Sequence, residues 1–133
     1  MIDERKNFRT TIHIASLSAP NYRRELREIV VDAASEYNWM PADLLFELGV
    51  RPARSECFQL AAGGVVEREI GFALIYANGR STATPVVFAG DADVVMLGAI
   101  GLEGLNLCVD AKRWELVPAG PVPVTTYSRP ALV

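Results

Sequence analysis

Glu28 to Pro41 reads EIVVDAASEYNWMP. Ile29, Val30 and Val31 make a short apolar run of the kind that forms a buried strand. Asp32 stands at its end, followed by the small residues Ala33, Ala34 and Ser35. A carboxylate at the rim of an apolar layer is costly unless it is hydrogen-bonded or paired, and that makes the position suitable for acid-base chemistry. It also suits an aspartate that leaves the sheet and caps the next turn with its own side chain. On this stretch alone, capping is the simpler reading.

Outward from it, Thr10 to Ala15 (TTIHIA) alternates and Glu25 to Val31 turns apolar, so both read as strands joined by the polar surface link SAPNYRR. Pro41 at a first helical position, Leu44, Leu45 and Leu48 inside, and Gly49 just past the end predict a helix of about two turns. Strand pattern returns at CFQL from Cys57, turns at AAGG, and resumes in VVEREIGFALIYA. Asn78-Gly79, a strong hairpin signal, leads to STATPVVFA. Then come Gly90-Asp91, an apolar VVMLG, a helix over AIGLEGL, strands LCVD and WELVP around the turn AKR, and a Pro-rich tail. Many short strands with one or two short helices predict a mainly β domain, closed as a barrel or folded as a sandwich.

With 133 residues, half of them apolar, the chain suits a single domain, with a core over about 8–118 and a tail over 119–133. Thirteen Lys and Arg are interspersed with sixteen Asp and Glu, which argues against a nucleic-acid surface. No apolar stretch is long enough for a membrane helix, and the start MIDERKNF is charged where a signal peptide would be apolar. A soluble, cytoplasmic protein is expected. Cys57 and Cys108 are far apart and form no CxxC pair, so two reduced, half-buried thiols are expected, with no metal and no cofactor.

The order of these segments resembles the retropepsin-like aspartic peptidases, the single-domain family of retroviral proteases and their cellular relatives, over nearly the whole chain. In that family an apolar strand ends in Asp-Thr/Ser-Gly-Ala/Ser. An "LP" helix ending in "LG", a hairpin flap, an apolar-apolar-Gly stretch, a short helix and a "VD…LVP" strand pair follow. Here VVDAASEYNWMPADLLFELGV, FQLAAGGVVEREIGFALI and VVMLGAIGLEGLNLCVDAKRWELVP stand in those places. The resemblance implies a closed β barrel with Asp32 as the catalytic aspartate, in the active-site loop Asp32-Ala33-Ala34-Ser35. Ala61, Ala62, Gly63, Gly64 and Val65 would form the flap that closes on a peptide, and Leu97 and Gly98 would support the loop. Such chemistry needs two carboxylates sharing a proton, one as general base on water and one as general acid. The chain offers one suitable aspartate, so a homodimer is implied, acting on peptides or unfolded protein.

The departure falls at the motif, where Ala33 replaces the hydroxyl residue and Ala34 the glycine. Ala33 cannot make the family's hydroxyl brace across the two-fold axis. A methyl at Ala34 is expected to crowd the carboxylates, or to strain the backbone if φ is positive there. Ser35 can still hydrogen-bond Asp32. The expected outcome is weakened or abolished peptidase activity, with two rivals: a non-catalytic peptide-binding or scaffolding dimer that keeps groove and flap, and a monomeric β-barrel binding module. Both a natural relative and a silenced Asp-Thr-Gly parent fit the alanines.

Other residues weigh less. By pattern alone the AAGG turn fits an ordinary surface hairpin equally well, and the segment order decides for a flap. Asp110 also ends a strand, but the resemblance places it at a surface turn. His13, the only histidine, supports neither a triad nor a multi-histidine metal site and is expected to face solvent. Tyr37 and Trp39 suit a groove wall or the core. Arg23, Arg24, Lys112 and Arg113 read as solvated loops. The tail PVPVTTYSRPALV has apolar residues for a dimer sheet like that of the retroviral members, limited by its prolines.

Overall fold

The computed structural model describes residues 7–126 and 128–131. The strands are β1 (Arg9–Ala15), β2 (Arg24–Asp32), β3 (Asn38–Pro41), β4 (Arg54–Gln59), β5 (Val65–Ala77), β6 (Arg80–Ala89), β7 (Met96–Gly98), β8 (Leu107–Asp110) and β9 (Glu115–Pro118). Two short helices, α1 (Ala42–Glu47) and α2 (Ala99–Leu105), complete the described elements. Pairing runs β1-β2-β7-β3-β6-β5, and β5 pairs back with β1, so six strands close a barrel and β4 hangs on the outside of β5. Of the two closures the sequence left open, the barrel is the one found. β8 and β9 form a separate two-stranded sheet.

Closure depends on a bend in β2. The β1–β2 register slips between Thr10 and Ile12, and Glu28, at the bulge, has φ 53°. A bulge re-aims the strand beyond it. Past it, Ile29, Val30 and Val31 are buried, with β1 on one edge and β7 in parallel on the other, in the register Val30 to Met96, Val31 to Leu97 and Asp32 to Gly98. Ile12, Ile14, Met40, Leu45, Ile75 and Leu97 fill the interior with no exposure. Each such side chain contributes about 1.5–3 kcal/mol on leaving water.

Three local expectations are corrected. The segment Asn38–Pro41 is a strand running parallel to β6, and Pro41 ends it, one residue before the helix. Four residues closing on a proline carry too little alternation to read as a strand. β4 begins at Arg54, before Cys57, in a charged and mostly exposed stretch. In VVMLG only Met96–Gly98 pairs. The predicted stop of α1 is present as a Schellman closure, with the Gly49 amide donating to Phe46 and the Val50 amide to Leu45. The Asn78-Gly79 turn has positive φ at both residues, as a type I′ hairpin requires.

Cys57 and Cys108 are free and exposed, where half-buried thiols were expected; each sits on a strand outside the barrel ring. Among the described residues no helix is long and apolar enough to cross a membrane. Tail residues 119–126 and 128–131 form no strand. The charged start Met1 to Lys6, and Tyr127, Leu132 and Val133 of the tail, lie outside the described residues.

Candidate active site

The end of β2 delivers Asp32, half-buried, to the mouth of the barrel beside Gly98 of β7. The chain then turns sharply, the Ser35 amide donating to the Asp32 carbonyl at 3.2 Å. Within the turn the carboxylate accepts two hydrogen bonds, from the Ala34 amide to Oδ1 (3.0 Å) and from the Ser35 hydroxyl to Oδ2 (2.8 Å). The bond expected from Ser35 is therefore made. Ala34 corrects the expectation of strain. Its φ is not positive, and its amide reaches the carboxylate with the methyl group in place.

The loop is held from below by α2. The amides of Ala99 and Ile100, which a helix N-terminus leaves without internal partners, donate to the carbonyls of Ser35 (2.7 Å) and Glu36 (2.9 Å). Gly98 makes this approach possible. A Cβ there would lie 2.2 Å from the Tyr37 carbonyl oxygen and 2.8 Å from that of Ser35. Leu97, fully buried, anchors the same strand in the core. Leu97 and Gly98 thus lie on the strand paired with the end of β2, next to the Asp32 loop.

Asn38 was missed. It is fully buried, with its side-chain amide donating to the Thr84 hydroxyl and the Pro85 carbonyl (3.0 Å each) and its Oδ1 accepting the Gly98 amide (3.0 Å). One side chain therefore joins β3, β6 and β7 directly beneath the loop. The available signal was a lone amide in the otherwise apolar and aromatic run Tyr37-Asn38-Trp39-Met40.

The β4–β5 hairpin stands beside this loop. Phe58 of β4 meets Tyr37 and Trp39 edge to face, with ring centroids 5.6 and 5.0 Å away, and Arg54 reaches the Tyr37 hydroxyl at 3.4 Å. Tyr37 and Trp39, half-buried, therefore form a wall between hairpin and loop and lie outside the core cluster. The turn residues Ala61, Ala62, Gly63, Gly64 and Val65 are all exposed. Gly63 and Gly64 have φ of 100° and 91°, which side-chain-bearing residues rarely adopt, and the turn closes through the Leu60 amide and the Gly64 carbonyl at 3.0 Å. The middle of the hairpin is tied down by Arg68, which lies opposite Glu56 and binds the two oxygens of Asp93 through Nε and Nη2 at 2.7 and 3.1 Å. Arg68 holds the Asp93 carboxyl below its ordinary range, helped by the Gly90 amide.

Among the described residues no second carboxylate bonds to Asp32, and no cluster suited to a metal ion is present. Asp110 is engaged elsewhere, its Oδ1 accepting the amides of Lys112 and Arg113 in a turn of the β8–β9 sheet. His13 is half-buried in a groove instead of facing open solvent. Of the four basic residues read as solvated loops, Arg23 stacks on Tyr76, Arg24 starts β2 and pairs with Glu47, and Arg113 lies 3.7 Å from Glu115. Lys112 remains exposed.

No family model matches the chain, and no curated protein matches it. Among solved structures it is similar to the solution structure of simian foamy virus (mac) protease, at 13% identity and a TM-score of 0.47, over 71% of this chain and 92% of that one.

Proposed function

We propose that this chain is a single-domain, retropepsin-like aspartic endopeptidase by descent, assembled as a homodimer in which each chain contributes Asp32 to a shared dyad. The observation that carries the reading is the Asp32 turn. A carboxylate at a barrel mouth is oriented by an amide and a hydroxyl and, among the described residues, bonds to no second carboxylate. A lone aspartate cannot be both general base and general acid in the same step, so the chemistry needs the second chain. The β4–β5 hairpin, with its glycine turn, is suited to close over an extended peptide as a flap and exclude water. Ala33 supplies no hydroxyl to brace two such loops, so the activity of the chain as it stands is weakened or absent.

The free outer edge of β4 supports a second reading, a non-catalytic dimer that grips a peptide by strand addition, since β4 pairs with β5 alone among the described strands. Cleavage of an unfolded protein mixture at mildly acidic and neutral pH, with the oligomer size followed by light scattering, tests both. The peptidase reading expects Ala33→Thr/Ala34→Gly to cut and the further change Asp32→Asn to stop it. A folded, dimeric and inert Ala33→Thr/Ala34→Gly variant would reject it in favour of peptide binding. A monomer would reject both.

A further inference from the structure

The far end of the barrel carries a second concave site. Thr11, His13, Arg23, Tyr76, Arg80 and Ser81 line an open groove of about 480 Å³ beside the β5–β6 turn. His13 pairs with Glu25 across β1 and β2, so it lies seven positions back along β2 from Asp32, roughly 20 Å along the strand. The chain as a whole has a formal charge of −3, yet among the described residues no carboxylate lines this groove. Glu25, the nearest acidic residue along the strands, is bound by Arg27 at 2.7 Å.

The cations are held in place. The Arg23 guanidinium carbon sits 3.6 Å from the centroid of the Tyr76 ring, and the Tyr76 hydroxyl donates to the Pro20 carbonyl at 2.8 Å, which fixes the ring. Stacking uses the face of a guanidinium and leaves its in-plane N–H donors free. Among the described residues none of the Arg23 donors has an acceptor. Arg80 is anchored through Nη1 to the carbonyls of Leu105 (3.2 Å) and Asn106 (3.4 Å), and no carboxylate among the described residues neutralises it. Thr11 and Ser81 add hydroxyls.

We propose that this groove binds a phosphate group, as a small phosphate monoester or as free phosphate, between Arg23 and Arg80. Two guanidinium forks and two hydroxyls match a dianion with three acceptor oxygens, whereas a single carboxylate would satisfy one fork. The site is independent of the Asp32 chemistry.

The test is a titration of the full ¹⁵N-labelled chain with phenyl phosphate and with inorganic phosphate, against sodium chloride at matched ionic strength. Saturable shifts of the Thr11, His13 and Ser81 amides are expected, with a Kd of order 1 mM or tighter. Tighter binding of phenyl phosphate assigns the site to an ester, and equal binding assigns it to free phosphate. Arg23→Gln and Arg80→Gln should each weaken binding about tenfold or more. Arg23 is exposed, so its variant decides the matter if Arg80→Gln fails to fold. Shifts reproduced by chloride, or unchanged in Arg23→Gln, would overturn the proposal.

Discussion

Asn38 carries more of the site than its distance from the chemistry suggests. Three hydrogen bonds to a fully buried amide fix Gly98, and Gly98 fixes the turn that presents Asp32. Asn38→Leu keeps the branching, adds bulk and removes the bonds to the Gly98 amide, the Thr84 hydroxyl and the Pro85 carbonyl, so a loss of about 2–5 kcal/mol is expected in urea unfolding. A loss near zero would mean that water or a shifted side chain replaces the amide. The two alanines are not equivalent. Ala34 already donates its amide to Asp32 without a positive φ, so Ala34→Gly restores no missing bond and costs up to about 1 kcal/mol in backbone entropy. On the proposed function, Ala33→Thr supplies a hydroxyl to brace the two loops, and alone it should raise cleavage about tenfold or more beyond Ala34→Gly alone. Rates for the two single variants check this. Asp32 and Ser35 were legible in the sequence because strand end and turn chemistry are local. Whether Ala34 would be strained was not, because the turn around it is held by α2 amides on the Ser35 and Glu36 carbonyls, which come from far along the chain.

At the scale of elements, the β4–β5 hairpin is tied to the rest of the chain at its middle by Arg68 and Asp93. Arg68 and Asp93 are 27% and 11% exposed, which spares the pair much of the solvent screening that weakens surface ion pairs. Arg68→Ala is expected to cost about 1–2 kcal/mol at pH 6. The Asp93 pKa is lowered chiefly by the Arg68 hydrogen bonds, against the opposing effect of burial, with a lesser lowering by the Gly90 amide. The pair's contribution is therefore complete above the ordinary aspartate value of 3.8 and is lost as pH falls through the lower folded-state value. The gap between the chain and Arg68→Ala in urea midpoint should close at acid pH. A gap that persists there would assign the effect of Arg68 to packing. The hairpin turns at Ala61 to Gly64 and at Asn78-Gly79 could be read from sequence, since glycine placement is local chemistry. The Arg68–Asp93 link could not, because 25 residues separate its partners and nothing in either neighbourhood names the other. β3 escaped for a related reason, its strand character coming from parallel pairing with β6 and not from its own alternation.

For the whole molecule, closure into a barrel follows from the β1–β5 pairing, which joins strands far apart in the chain and leaves no local trace. Periodicity alone therefore stopped at barrel or sandwich, and the segment order carried the expectation further. Among the described residues no second carboxylate bonds to Asp32, and the proposed chemistry needs two from two chains. On the proposed function, activity is a property of the dimer. The most direct measurement mixes a fixed amount of Ala33→Thr/Ala34→Gly chain with increasing amounts of the same chain carrying Asp32→Asn, and follows peptide cleavage. Activity should fall toward zero as the Asp32→Asn chain captures its partner in mixed dimers, each with a single carboxylate. Cleavage unchanged by an excess of the Asp32→Asn chain would show that one chain works alone, and would contradict a dyad shared between two copies of Asp32.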